Sequence, residues 1–218
     1  NGQWSILKDG PGSSAWSDAD GFDFENAEPI LVPGNIWEAF PGYNGVSWYG
    51  KVFNDYLVSE ENERMYLRFE AVQYSCDVYL NGEKLGSHIG SEVPFEYDVT
   101  DIIRPNEENF IAVAVSNGKG MLLAGSNTET GAFWDCGGIW QEVSLISRPE
   151  VYISDVYAKP DWKTGEVEMD ITVANETEEQ KTVSIGAAIN EKGGAVVENI
   201  AAQSFQAAPG ENTFTIKG

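Results

Sequence analysis

The sequence has few of the residues and patterns on which metal sites and nucleophilic catalysis depend. Only one histidine and two cysteines occur among its 218 residues. A Gly-x-Ser-x-Gly elbow, a phosphate-binding glycine loop and a His/Cys cluster are all missing. We therefore predict neither a metal site nor a cofactor for this chain.

Long apolar runs are missing as well. The sequence has no stretch of about eighteen apolar residues, which excludes a transmembrane helix. Its first residues lack the charged, apolar and small-residue series of a signal peptide. These observations predict a soluble protein, either cytoplasmic or exported after loss of a signal peptide.

Basic residues are scarce. Thirteen Lys and Arg stand against thirty-five Asp and Glu, which gives a formal net charge of −22. Such a surface repels phosphate backbones and anionic lipids, so we expect no nucleic-acid partner and no membrane partner. The charge is compatible with a neutral sugar ligand but does not predict one.

The few cysteine and histidine side chains favour structural roles. Cys76 and Cys136 are not in metal-ligand spacing, and we interpret them as two small buried thiols, with a disulfide between them left open. His88 lies beside a predicted hairpin strand and is interpreted as a surface residue or as one that packs against a neighbouring strand.

The dominant positive signal is an alternation of apolar and polar residues with a period of two. It is strongest in residues 66–99, where Cys76, Val78 and Leu80 share one face of a strand. Asn81-Gly82 follows at once, and this pair supplies the positive φ angles of a type I′ hairpin turn. The sequence therefore predicts an all-β protein.

Similar patterns predict strands along most of the chain. In order they cover 30–32, 46–56, 66–71, 76–80, 84–88, 95–99, 110–117, 139–147, 151–157, 167–173, 183–189, 196–200 and 213–217. Within the strand 46–56, Trp48 and Tyr49 should lie on opposite faces. Single helical turns are predicted at Asn35–Phe40, with Asn35 as N-cap, and at Thr100–Ile103.

Pro149 marks a predicted domain boundary, because the spacing of strands changes after it. We expect one domain at 1–149 and a second at 150–218. The second has about seventy residues, fewer than the roughly 100 of an immunoglobulin-type sandwich. We expect the chain to stop inside that domain, and a complete six-stranded sandwich is the alternative.

Five segments in a fixed order carry a resemblance to a known family. They are Val32–Phe40, Gly45–Tyr49, a central run that contains Phe69–Val72, Asp77–Gly82, Leu85–Gly90 and Pro94–Thr100, then Asn109–Val115 and Gly137–Leu145. Together they resemble the N-terminal sugar-binding domain of glycoside hydrolase family 2, which contains β-galactosidases, β-glucuronidases and β-mannosidases. The resemblance implies a jelly-roll, galactose-binding-like β-sandwich followed by an immunoglobulin-like β-sandwich.

The resemblance also implies where catalysis takes place. Members of the family are retaining β-glycosidases, and their two catalytic glutamates lie in a later (β/α)₈ barrel. No alternation of strands and helices occurs here, so we assign no catalytic residue to this chain. The chain is expected to brace that barrel and to bind a carbohydrate, a β-glycoside, together with it. Whether the protein forms a homo-oligomer is left open. The alternative is an independent carbohydrate-binding or adhesion module.

One long segment without a clear period, 118–137, stands out as a candidate site. The resemblance implies that the residues just before the Gly-Ile strand approach the sugar in the barrel. Trp134 and Asp135 lie there, and an aromatic ring can stack on a pyranose while a carboxylate accepts hydrogen bonds from its hydroxyls. Both are candidate substrate-binding residues. The competing interpretation is that Trp134 packs under the loop and Asp135 caps it.

Overall fold

The computed structural model describes residues 1–54, 63–117 and 137–218. Strands dominate this part of the chain, and its helices are single turns, as the all-β prediction requires. Contacts divide the chain into two compact units, and the boundary between them lies between Ser147 and Arg148. None of the described helices is long and apolar enough to cross a membrane.

The described residues of the first unit form two antiparallel sheets. Its elements in chain order are β1 Gly2–Lys8, a 3₁₀ turn Ser13–Ala15, β2 Glu28–Val32, α1 Ile36–Ala39, β3 Val46–Asn54, β4 Glu63–Phe69, β5 Ser75–Leu80, β6 Glu83–Ile89, β7 Phe95–Asp98, β8 Glu108–Ser116 and β9 Val143–Pro149. The larger sheet has the order β2-β1-β3-β8-β5-β6, and the smaller has the order β7-β4-β9.

The two sheets enclose the main hydrophobic core. Val78 and Val113 reach it from the larger sheet, and Leu67 and Phe69 reach it from the smaller one. These side chains are at most 4% exposed, so the two sheets pack face to face as a sandwich. A second cluster lies on the other face of the larger sheet.

Strand β3 shows how alternation divides residues between these two clusters. Tyr49 is fully buried in the main core, where its ring meets that of Trp4 edge to face. Trp48 points to the opposite face and packs with Trp16 and Phe22. The predicted opposition of Trp48 and Tyr49 is therefore confirmed, and the aromatic residues before β2 cover the outer face.

The β5–β6 hairpin forms as predicted. Asn81 has a φ of 51° and Gly82 a φ of 85°, and Leu80 pairs with Glu83 across the two-residue turn. The Asn81 side chain also accepts a hydrogen bond from the Phe110 N–H and donates one to Oδ1 of buried Asn109. The turn is thereby tied to β8 as well as to its own strands.

The predicted start of the strand 139–147 is wrong. Residues 139–142 do not form a strand, and β9 begins only at Val143. The reason is that the Ile139 carbonyl accepts a hydrogen bond from the Gly34 N–H rather than pairing in a ladder. Residues 100–103 form a single turn closed by an i to i−4 hydrogen bond from the Ile103 N–H to the Val99 carbonyl, which agrees with the predicted helical turn. The side chain that accepts from its first N–H group, that of Thr100, is Asp98.

The second unit also consists of antiparallel strands. They are β10 Val151–Pro160, β11 Val167–Asn175, β12 Lys181–Asn190, β13 Val196–Ala207 and β14 Gly210–Lys217. One sheet has the order β10-β11-β14, and β12 pairs with β13. Their apolar faces form a separate core around Ile171, Ile185 and Ile216. The predicted strand 196–200 is longer than expected, because β13 continues to Ala207 and includes Phe205.

Candidate functional site

The two candidate residues of the sequence, Trp134 and Asp135, lie outside the described residues, as does Cys136. The residues that flank the segment 118–136 are Asn117 and Gly137. Both of these residues are described.

The two flanks meet at one point. A Cβ atom built on Gly137 would lie 2.2 Å from Cβ of Asn117 and 3.1 Å from the Gln73 carbonyl oxygen. Gly137 also has a φ of +54°, in the left-handed region that favours glycine. The chain that leaves β8 at Asn117 therefore re-enters the described structure in contact with the same residue. We call this contact the loop junction.

Asn117 fixes the first side of the loop junction. Its Oδ1 accepts a hydrogen bond from the Gly45 N–H (2.9 Å), and its Nδ2 donates one to the Tyr43 carbonyl (3.1 Å). Its own backbone N–H donates to the Gly45 carbonyl (3.2 Å). Three hydrogen bonds to residues 43–45 thus hold the end of β8.

Backbone hydrogen bonds fix the second side. The Ile36 N–H donates to the Gly137 carbonyl (3.0 Å), and Gly138 and Gln73 exchange two hydrogen bonds of 2.7 and 2.9 Å. Gly138 has no room for a side chain, because a Cβ would lie 2.9 Å from the Tyr49 hydroxyl. The chain after the loop junction is therefore held by α1 and by the segment between β4 and β5.

The short helix α1 completes the surroundings of the loop junction. Asn35 is its N-cap, as predicted, and the Asn35 N–H donates to Oε1 of Glu38 (3.2 Å). Ile36 is fully buried, whereas Trp37 is 37% exposed. The Trp37 indole N–H donates to the Tyr43 carbonyl (2.9 Å), the same oxygen that accepts from Asn117.

Lys8 and Tyr43 lie close to the loop junction. Lys8 Nζ lies 4.8 Å from the ring centre of Phe40 and 5.2 Å from that of Tyr43. Burial, and secondarily the Asp9 carboxylate, raise the pKa of Tyr43. Its phenol therefore stays neutral near pH 7 and donates to the Val46 carbonyl (2.9 Å).

The remaining reactive side chains of the first unit are placed for packing. His88 stacks on Phe95 with ring centres 3.9 Å apart, as its predicted packing role requires, and burial lowers its pKa. Burial raises the pKa of Cys76 to about 12, which keeps this free, buried thiol protonated. Over residues 1–54, 63–117 and 137–218, no cluster of three or more His, Cys, Asp or Glu could hold a metal ion.

Sequence patterns missed several residues of the loop junction. The sequence pattern predicts Asn117 only as the end of a strand, and Trp37 only as part of a helical turn. Tyr43 was not singled out. The useful signal was the pair Gly137-Gly138 directly after a long segment without periodicity, because adjacent glycines often mark a close approach of two backbones.

Two antiparallel sheets stacked around a shared core define the first unit as a β-sandwich of the jelly-roll kind. The family model described as "Glycosyl hydrolases family 2, sugar binding domain" matches residues 13–149. Because this match covers more than half of the sequence, the chain belongs to glycosyl hydrolase family 2.

Similar proteins include bacterial glycosidases. The β-galactosidase of Thermoanaerobacter pseudethanolicus is 36% identical over 155 residues, which are 65% of this chain and 20% of that protein. A β-glucuronidase of Formosa agariphila is 29% identical over 188 residues, which are 75% of this chain and 19% of that protein. The chain therefore spans about a fifth of the length of these relatives.

Solved structures of family members share the fold. A β-glucuronidase of Bacteroides uniformis matches all of this chain with a TM-score of 0.80 at 21% identity, over 27% of its own length. A β-glucuronidase of Bifidobacterium dentium matches 99% of this chain with a TM-score of 0.69 at 23% identity, over 41% of its own length.

Proposed function

We propose that this chain is the non-catalytic N-terminal region of a retaining family 2 β-glycosidase. In this proposal it braces a catalytic barrel and contributes the segment 118–136 to the sugar pocket, with Trp134 and Asp135 in contact with the substrate. Residues 1–149 are the sugar-binding domain, and 150–218 belong to an immunoglobulin-like domain. The observation that carries the proposal is the loop junction.

The loop junction supports this role through its rigidity. Ordering a long segment has a large entropic cost, and this cost falls when both ends are already fixed at the right place. Hydrogen bonds from three different parts of the sandwich fix those ends. A binding loop on such a base can hold its side chains within the narrow tolerance that substrate recognition requires.

The substrate class follows from the named relatives. These include β-galactosidases and β-glucuronidases, so we propose a β-galactoside or a β-glucuronide. Residues 1–218 alone should bind either sugar weakly, because one wall buries little of a ligand that normally needs enclosure.

Hydrolysis by two proteins tests the proposal. Purified residues 1–218 and the complete product of the gene are each incubated with p-nitrophenyl β-D-galactoside and p-nitrophenyl β-D-glucuronide. We expect turnover of at least one substrate by the complete product and none by residues 1–218. A complete product that binds sugar but hydrolyses neither compound contradicts the proposal and favours an independent binding module.

A further inference from the structure

Trp37 is an aromatic residue that packing within the first unit leaves partly exposed. Its side chain is 37% exposed, although the neighbouring Ile36 is completely buried. The exposed ring is nevertheless held in place, because its N–H donates to the Tyr43 carbonyl at 2.9 Å. An indole restrained in this way loses little conformational freedom when a ligand covers it.

The position of Trp37 links it to the loop junction on both sides. The Tyr43 carbonyl that accepts from Trp37 also accepts from Nδ2 of Asn117. On the other side, the residue before Trp37 donates its N–H to the Gly137 carbonyl. The indole is therefore two hydrogen bonds away from Asn117, and its backbone is directly next to the residue bonded to Gly137.

We propose that the exposed face of Trp37 is a stacking surface for a pyranose ring of the carbohydrate ligand. One face of a β-galactopyranose presents several C–H groups, which form an apolar patch that matches a flat aromatic ring. Trp37 thus adds a sugar-binding residue formed entirely by the sandwich. The inference rests on the carbohydrate-binding part of the proposed function.

Trp140 is a matched comparison within the same unit. It is also 37% exposed, and its indole N–H also donates to a backbone carbonyl, that of Ser91, at 2.8 Å. Its indole hydrogen bond, however, goes to the segment after β6 and not to the Tyr43 carbonyl shared with Asn117. The two residues therefore share exposure and tethering, but their indole N–H groups donate to different parts of the chain: that of Trp37 to the Tyr43 carbonyl and that of Trp140 to the Ser91 carbonyl.

Saturation-transfer NMR on residues 1–218 tests the inference with methyl β-D-galactopyranoside and methyl β-D-glucuronide. Methyl glycosides are used because an aryl group would itself stack on tryptophan. The variants are Trp37→Ala, Trp37→Phe and Trp140→Ala, each checked for folding by thermal melting. Loss of one central aromatic contact should weaken binding about tenfold.

We expect Trp37→Ala to reduce transfer to the sugar C–H protons and to raise Kd about tenfold. Trp37→Phe should retain most binding, and Trp140→Ala should match the unsubstituted chain. Equal affinity of Trp37→Ala and the unsubstituted chain overturns the inference, as does an equal loss for Trp140→Ala or no transfer to either sugar. Failure of the proposed function is separate, since it appears as missing hydrolysis by the complete gene product.

Discussion

Replacement of Gly137 by alanine should strongly destabilise the first unit. The added Cβ would lie 2.2 Å from Cβ of Asn117, whereas nonbonded carbon atoms pack best at about 3.5–4.0 Å. Both atoms are attached directly to the backbone, so no side-chain rotation separates them. The backbone segments around Asn117 and Gly137 would have to move apart, and this movement would strain the hydrogen bonds between Gly138 and Gln73.

Two costs set the size of the effect. A non-glycine residue at a φ of +54° costs about 1–2 kcal/mol. Overpacking at a buried position adds about 1–3 kcal/mol. The sum is about 2–5 kcal/mol of unfolding free energy, which corresponds to a fall in Tm of about 5–15 °C for a domain of this size.

Gly42→Ala is the control that separates the two costs. Gly42 also has a positive φ, +72°, but a Cβ there would meet nothing within 4 Å. Gly42→Ala should therefore lower the free energy of unfolding only by the backbone cost of a non-glycine residue at positive φ. Differential scanning calorimetry of both variants measures the difference. If Gly137→Ala and Gly42→Ala lower Tm equally, the close contact between Gly137 and Asn117 does not contribute to the stability of the first unit.

Three further predictions concern other parts of the chain. Asn175→Ala removes buried hydrogen bonds to the carbonyls of Glu179 and Ala207 and should cost about 1–3 kcal/mol in urea unfolding. Cys76, whose pKa is raised to about 12 by burial, should resist iodoacetamide at neutral pH until the chain is unfolded, as peptide mass spectrometry can follow. In the complete gene product, Asp135→Ala should lower kcat/KM by an amount that corresponds to a loss of about 1–3 kcal/mol of transition-state binding. Trp134→Ala should lower kcat/KM too.

Each of these predictions has a distinct contradicting result. Asn212→Ala, which removes hydrogen bonds at a less buried site, should cost less than Asn175→Ala, and an equal loss would contradict the role of burial. Labelling of Cys76 in the native chain at the unfolded rate would show that the thiol is accessible. Unchanged kinetics at Trp134 and Asp135, or losses explained by lower Tm, would return both residues to a packing role.

Alternation along individual strands could be predicted because successive side chains of a strand point to opposite faces, whatever the rest of the fold is. Cys76, Val78 and Leu80 are buried as the pattern indicates, and Asn81-Gly82 adopts the positive φ angles that few other pairs tolerate. The fold class followed from many such local patterns. The family resemblance then arranged these strands into a sandwich.

The loop junction could not be predicted in the same way, because distant partners determine it. Ile139 is apolar and lies close to Val143, so the pattern resembles a single strand. Its carbonyl instead binds the Gly34 N–H, a residue remote in sequence. The orientation of Trp37 likewise depends on one hydrogen bond to Tyr43, which a single helical turn without periodicity does not reveal.

The loop junction has a consequence for how such a chain can diversify. Asn117 and Gly137 are in contact, so the sandwich itself holds the two ends of the segment between them close together. The conformation of that segment does not have to provide this closure. Doubling the length of such a segment adds only about 0.6 kcal/mol of closure cost. The segment can therefore change in length and composition while the strands on either side keep their register, so a single sandwich can present different binding surfaces in different descendants.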